Sequence, residues 1–184
     1  MTTTEKTLTQ QRHETVVEAI LALDPAGIAY VPSASIAGII NGLVDVATDA
    51  MPVFPVSREE EAVGIVGAYP LAGKFGVIVM QDNGFGNSLT ALTTFAVSYH
   101  LPLLIVANTR GGLGEYNSMI HSISAPVPEL LRAASIPVFS LDRRNDLEDW
   151  HATVVEAGKH AQMTFRPVVV LMEFFDHRDA KARA

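Results

Sequence analysis

The sequence predicts an α/β fold: an open, doubly wound parallel sheet of about six strands with helices on both faces. Three observations carry this. Short runs rich in Val and Ile alternate with stretches of helical period along the whole 184-residue chain, which is the pattern of repeated βα units. The runs Gly76-Val77-Ile78-Val79-Met80 and Leu103-Leu104-Ile105-Val106-Ala107 contain no polar residue, as strands covered on both faces require. Hydrophobic residues make up 48% of the chain and charged residues 18%, with a mean hydropathy of +0.24. A doubly covered sheet accounts for part of that apolar excess, and a surface buried against partner subunits for the rest.

Taken in order, residues 13–23 place Val16, Val17, Ile20 and Leu21 at helical spacing, and Pro25 and Gly27 end that helix. Residues 28–31 form a short strand closed by Pro32. Residues 36–46 read as a helix behind the possible caps Ser33 and Ser35. Residues 53–56 are a strand that Pro55 makes short or edge-like. Residues 58–71 are a helix ended at Gly73, and 76–80 the clearest buried strand. Residues 87–99 are a helix stopped before Pro102, and 103–107 a second buried strand. Residues 109–126 carry glycines and no period, and a loop of that length in a compact domain is usually functional or mobile. The chain then gives a helix over 127–134, a strand over 137–139, a helix over 146–161 and a last strand over 168–172. One domain over residues 13–175 is expected, with flexible ends at 1–12 and 176–184.

Composition excludes several classes of function. The net charge is -7 and the pI about 5.3, which argues against nucleic acid as a partner. There is no cysteine, so disulfides and thiolate metal sites are absent. His13, His100, His121, His151, His160 and His177 show no close metal-ligand spacing, and no metal site is expected on this chain. No apolar run approaches the ~20 residues that span a bilayer, and the Thr-rich start has no apolar signal region. A cytoplasmic protein is expected.

In open α/β sheets ligands sit outside the carboxyl ends of the strands, so the segments after the strands are the informative ones. Glu59, Glu60 and Glu61 open a helix after the possible cap Ser57. On spacing alone they serve the helix dipole, each by ~0.3–1 kcal/mol, or one of them serves chemistry. Gln81-Asp82-Asn83-Gly84-Phe85-Gly86-Asn87 is neither a Walker A loop nor GxGxxG. It is a tight strand-to-helix turn with Asn87 as cap, or a polar rim and backbone N–H groups offered to a ligand. Arg110, in Arg110-Gly111-Gly112-Leu113-Gly114-Glu115, is suited to an anionic group or a partner carboxylate. A lone histidine such as His121 is structural or functional.

Together these segments resemble the sulfopyruvate and phosphonopyruvate decarboxylase family of thiamine diphosphate-dependent enzymes, specifically its alpha-subunit or N-terminal pyrimidine-binding domain. The resemblance spans about residues 16–170. It is most specific at Ser57-Arg58-Glu59-Glu60-Glu61-Ala62-Val63-Gly64-Ile65 and at Gln81-Asp82-Asn83-Gly84-Phe85-Gly86-Asn87-Ser88-Leu89-Thr90-Ala91-Leu92. Leu101-Pro102-Leu103-Leu104-Ile105 and Arg110-Gly111 follow in the family's order.

The resemblance implies a subunit of a thiamine diphosphate-dependent 2-oxo acid decarboxylase. Glu59 matches the glutamate that hydrogen-bonds the pyrimidine N1′ and activates the cofactor; a partly buried carboxylate can share a proton with a ring nitrogen near neutral pH. Gly84, Phe85, Gly86 and Asn87 match the turn along the pyrimidine, and Glu60 and Glu61 are structural. Ser33, Ser35, Arg110 and Asn117 are expected at the substrate, and His121 as a proton-handling residue. The family's Gly-Asp-Gly…Asn motif is missing from this sequence, so Mg²⁺ and the diphosphate are expected on a beta-type partner subunit in a hetero-oligomer. Where the family commonly has Pro-x-Ser-Leu-Leu-Lys, this chain has Pro32-Ser33-Ala34-Ser35-Ile36-Ala37, and its usual Gly-Arg downstream appears as Ser124-Ala125. Those departures remove cations suited to a sulfonate or phosphonate and make a less anionic 2-oxo acid an alternative to sulfopyruvate. A carboligase or aromatic 2-oxo acid decarboxylase, a non-catalytic regulatory subunit and an unrelated nucleotide-binding module are the rival readings.

Overall fold

The computed structural model describes residues 6–113 and 115–175. Its elements are α1 (Leu8–Leu21), β1 (Gly27–Tyr30), α2 (Ala37–Asp45), β2 (Val53–Pro55), α3 (Glu59–Val66), β3 (Gly76–Gln81), α4 (Phe85–Ala91), β4 (Leu103–Asn108), α5 (Ser118–Ser124), α6 (Val127–Ala133), β5 (Val138–Leu141), α7 (Leu147–Thr164) and β6 (Pro167–Met172). The strands form one six-stranded sheet in the order β2-β1-β3-β4-β6-β5, with every pairing parallel. The expected fold class is the observed one.

Strand alternation divides the interior into two cores. Leu104 and Val106 of β4, Val77 and Val79 of β3, and Val168 and Val170 of β6 face a layer built from α1, α2 and α7. Leu103, Ile105 and Ala107, with Ile78, Met80, Val169 and Leu171, face α3, α4 and α6. Trp150 of α7 is fully buried, with the Arg12 guanidinium 5.1 Å from its ring centroid and Phe174 beside it at 5.2 Å. The strand containing Pro55 is an edge strand, as its missing N–H requires.

Several boundaries differ from expectation for local reasons. The first helix starts at Leu8, because Thr7 and Gln10 form a capping box: Thr7 Oγ1 accepts from the Gln10 N–H at 3.2 Å and Gln10 Oε1 from the Thr7 N–H at 2.8 Å. Residues 8–12 are therefore helical where a flexible end is expected; residues 1–5 and 176–184 lie outside the described residues. The N-cap of α3 is Arg58 rather than Ser57, and Glu61 Oε2 accepts from both their N–H groups at 3.0 and 3.2 Å. The same helix ends at Val66, with a separate 3₁₀ turn over Pro70–Ala72. Asn87 lies inside α4, which begins at Phe85 and continues into a π-helical stretch, Leu92–Val97. The expected loop over 109–126 contains a helix, α5.

Ile105 is fully buried at the centre of β4. Ile105→Ala is expected to cost about 2–5 kcal/mol, read as a lower urea midpoint with an unchanged m-value.

Candidate functional site

The chain leaves β1 outward to β2 and then returns past β1 to β3. That reversal is a topological switch point, and the crevice lies outside the carboxyl ends of β1 and β3. The purely apolar run of β3 ends at Gln81 and that of β4 at Asn108, and these two amides are register partners. Both turn to the segment after β1. Gln81 Nε2 donates to Ser33 Oγ and, at 2.8 Å, to Ser35 Oγ. Asn108 Nδ2 donates to Ser35 Oγ at 2.9 Å, and the two hydroxyls lie 2.9 Å apart. Ser33 and Ser35, expected as caps and as substrate residues, make no capping bond; their hydroxyls belong to this network.

On the β2 side, Glu59 opens α3 and its side chain lies on the turn after β3. Asn87 Nδ2 donates to Glu59 Oε2 at 2.8 Å. A Cβ at Gly84 would stand 2.3 Å from Glu59 Cγ and 2.5 Å from its Cδ, so only glycine allows this carboxylate to lie here. Glu59 is half-buried, whereas Gly86 and Asn87 are exposed. Among the described residues nothing donates to Glu59 Oε1. The result is a flat polar ledge with one committed carboxylate oxygen and one available acceptor. Phe85 is fully buried in the α3–α4 core, so the turn offers a ligand that residue's backbone and not its ring. Glu60 pairs with Arg58 and Glu61 caps the helix, both structural as expected.

One position beyond Gln81, Asp82 is fully buried and holds the segment after β4. Its Oδ2 accepts from Thr109 Oγ1 and from the Arg110 N–H, both at 2.9 Å, and its Oδ1 from Ser124 Oγ at 2.6 Å. Beyond that anchor Arg110 forms an ion pair with Glu115, and Glu115 Oε1 accepts from the Asn117 N–H at 2.7 Å. Asn117 Oδ1 in turn caps α5 through the Met119 N–H at 3.1 Å. Arg110 thus has a carboxylate partner within its own loop, which holds the Glu115 carboxyl below its ordinary range. Asn117 is a helix cap. His121 sits exposed on α5, its side chain bonded to no described residue.

A cleft of about 390 Å³ opens at the carboxyl ends of β1, β4 and β6, lined by Ser35, Asn108, Arg110, Glu115, Glu173 and His13 among others. A larger apolar hollow of about 630 Å³ lies between β5 and α7, away from the switch point, and its charged residues Glu156 and Lys159 pair with each other at 2.8 Å. Among the described residues no three His, Asp or Glu side chains are grouped to hold a metal ion, and no helix is long and apolar enough to cross a membrane.

The structure therefore brings the Ser33 and Ser35 hydroxyls together, with Ser35 lining the cleft, and brings Glu59, Gly84 and Asn87 together on the ledge. Arg110 lines the cleft already paired, and Asn117 and His121 stand off on α5. The sequence does not single out Glu173 or His13, and it marks Gln81, Asp82 and Asn108 only as parts of the segments that follow β3 and β4. The available signal was a polar residue directly after an uninterrupted apolar strand, which marks Gln81, Asn108 and Glu173 alike.

No family model matches the chain. Sulfopyruvate decarboxylase subunit alpha of Methanococcus maripaludis is 36% identical over 134 residues, covering 69% of this chain and 75% of that protein. Sulfopyruvate decarboxylase of Methanosarcina acetivorans is 31% identical over 133 residues, which are 72% of this chain and only 33% of that longer one. In fold, the chain is similar to 2-oxoglutarate:ferredoxin oxidoreductase from Magnetococcus marinus, with a TM-score of 0.61 and 15% identity, over 89% of this chain and 28% of that one.

Asp82→Ala leaves two hydroxyls and an N–H without their acceptor, and is expected to cost about 2–3 kcal/mol and to speed proteolysis within residues 110–117. Burial lowers the His13 imidazole below its ordinary pKa of 6.5, so the unfolded chain takes the proton more readily. The resulting stability is present above about pH 6.5 and falls as the pH drops below it. His13→Gln is expected to flatten that part of the profile, measured by urea unfolding at stepped pH.

Proposed function

The chain belongs to the sulfopyruvate decarboxylase alpha-subunit family, and from that premise we propose that it is the cofactor-activating subunit of a thiamine diphosphate-dependent 2-oxo acid decarboxylase. The observation that carries this reading is the Glu59 carboxylate lying on Gly84 with Asn87 on one oxygen. The Glu59 side chain fills the space a Cβ at Gly84 would take, and its Oε1, which no described residue uses, suits a basic nitrogen at the edge of a flat ring. In this reading Glu59 holds a proton at the pyrimidine N1′. Asn87 orients the carboxylate, Gly84 gives its side chain room, and Gly86 lets the turn pass close to Ile123. Bound thiamine diphosphate supplies the electron sink that loss of CO₂ from a 2-oxo acid requires. Ser33, Ser35, Gln81 and Asn108 form the polar edge beside which the substrate is oriented, with Ser35, Asn108 and Arg110 lining the cleft itself.

The relatives named as alpha subunits imply a partner subunit. The Methanosarcina acetivorans protein, of which this chain matches a third, has room for both in one polypeptide. We assign Mg²⁺ and the diphosphate to a beta-type partner in a cytoplasmic hetero-oligomer. Leu113, Tyr116 and Met119 stand exposed on the loop and on α5, where an interface would cover them. His121 is on the same helix, and a proton-handling role for it belongs to the assembled complex. Sulfopyruvate is the relatives' named substrate and the first to assay.

Calorimetry is expected to find tight thiamine diphosphate and Mg²⁺ binding only after co-expression with the partner. Glu59→Gln is expected to lower the turnover of the complex by about 10²-fold or more with its assembly unchanged. Wild-type turnover in that variant would overturn the proposed role.

A further inference from the structure

The cleft at the ends of β1, β4 and β6 has an unusual balance of charge for a pocket that receives an acid. Arg110 is the one Lys or Arg side chain among its described lining residues, and Glu115 already neutralises it. Glu115 is the more deeply held of the two, its side chain 9% exposed against 23% for Arg110. A second carboxylate, Glu173, lines the same cleft. Its N–H is fixed to the Leu141 carbonyl at 2.8 Å, which sets the direction its side chain takes as the chain leaves β6. A Cβ at Gly112 would lie 2.9 Å from Glu173 Oε1, so the loop passes directly over the carboxylate and has no side chain there. Among the described residues none donates a hydrogen bond to it.

Among the described residues the other wall offers no compensating charge. Ala34 lines the cleft, and Ala37 lines an adjoining hollow of about 490 Å³. Burial holds the fourth ionisable group, His13, below its ordinary pKa and neutral at physiological pH. Among the described lining residues, two carboxylates therefore face one guanidinium. Against these described residues a sulfonate or phosphonate would meet net negative charge and lose its water without a charge-assisted partner. A hydroxyl or amide would find two acceptor oxygens that no described residue uses. Burial, and then the nearby Asp142 charge, push the Glu173 carboxyl above its ordinary range, against the smaller pull of Arg143 and Arg144.

We propose that Glu173 sets the substrate class of this site, admitting 2-oxo acids whose distal group is uncharged and donates a hydrogen bond and turning away those with a second anionic group. This rests on the 2-oxo acid decarboxylase reading and deepens it. Glu173 acts by contact with the distal group, and Gly112 gives it room.

The test has two arms, with hydroxypyruvate, pyruvate and sulfopyruvate as ligands. In the first, amide chemical shifts of the full chain are followed by NMR during titration. Shifts at Ser35, Asn108 and Gly112 with hydroxypyruvate, and weaker ones with sulfopyruvate, support the assignment. Equal or tighter sulfopyruvate binding at those amides, or no shift there with any acid, overturns it. In the second, CO₂ release is measured for the complex with its partner. Hydroxypyruvate is expected to exceed sulfopyruvate in kcat/KM by about tenfold or more, and Glu173→Gln to narrow that ratio. Gly112→Ala, which displaces the carboxylate and keeps its charge, is expected to lower hydroxypyruvate use without a gain for sulfopyruvate. A wild-type preference for sulfopyruvate, or a ratio that neither variant moves, overturns the proposal. CO₂ release from none of the acids, with the NMR selectivity intact, overturns the decarboxylase reading and leaves the cleft assignment standing.

Discussion

Burial of β3 and β4 on both faces is the constraint from which the rest of the molecule follows. A strand covered on both faces has no surface on which a polar side chain can rest, so its polar residues collect where it ends. Gln81 and Asn108 are those residues, and the parallel register sets them side by side. Asn108, which is buried, cannot be left unpaired, since a buried amide without a partner costs about 1–3 kcal/mol, and the half-buried Gln81 shares its partner. The hydroxyls of Ser33 and Ser35 satisfy them, which fixes the segment after β1 over the ends of β3 and β4. The switch point thus becomes a wall of defined shape because of hydrogen-bond demand in the strands beneath it.

Asp82 extends the same logic across the crevice. A fully buried carboxylate must be surrounded by donors, and this one takes them from both ends of the segment that follows β4: Thr109 and Arg110 at its start and Ser124 at its close. Tying both ends to one side chain shortens the effective loop and removes much of its closure entropy. That explains why α5, seven residues long, persists. A helix that short is marginal on its own, and here it has a tether at Ser124 and a cap at Asn117. The long loop read from the sequence is a constrained rim for this reason.

The fold was legible because it rests on periodicity and on breakers, which are local. The six parallel strands and both helical layers follow from apolar runs such as Leu103-Leu104-Ile105-Val106-Ala107 and from prolines such as Pro32 and Pro102. Helix ends were less legible where a side chain from within the helix supplies the cap, as Gln10 and Glu61 do. Of the site, Glu59 and Gly84 could be paired in advance because a family pattern joins two distant segments. Nothing local tells Ser33 and Ser35 that their partners lie 46 to 48 residues away in Gln81. Glu173 was invisible for a related reason: its surroundings come from Gly112 on another loop, and a lone Glu after a strand has no spacing to read. Arg110 was visible as a cation, but its neutralisation by Glu115 depends on the fold of the loop between them.

The two sides of the carboxyl edge differ in what they need from outside. The β1–β4–β6 side is a cleft whose polar groups are paired or enclosed, and its character is set within this chain. The β2 side is a ledge, with Gly86 and Asn87 exposed and Glu59 half-buried. An exposed carboxylate is surrounded by high-dielectric water and exchanges its proton with solvent, so its pairing with a ring nitrogen is worth little there. The same carboxylate under a protein cover gains strength in every hydrogen bond it makes, because the effective dielectric falls. The exposed Ile65 follows Glu59 on α3, and Tyr116 and Met119 stand exposed on the loop before α5 and on α5. Exposed apolar groups such as these suit a partner that buries them, and a partner that also covers the ledge would seal the carboxylate from water. The proton chemistry assigned to Glu59 therefore depends on assembly for its strength, whereas the discrimination assigned to Glu173 is built into this subunit.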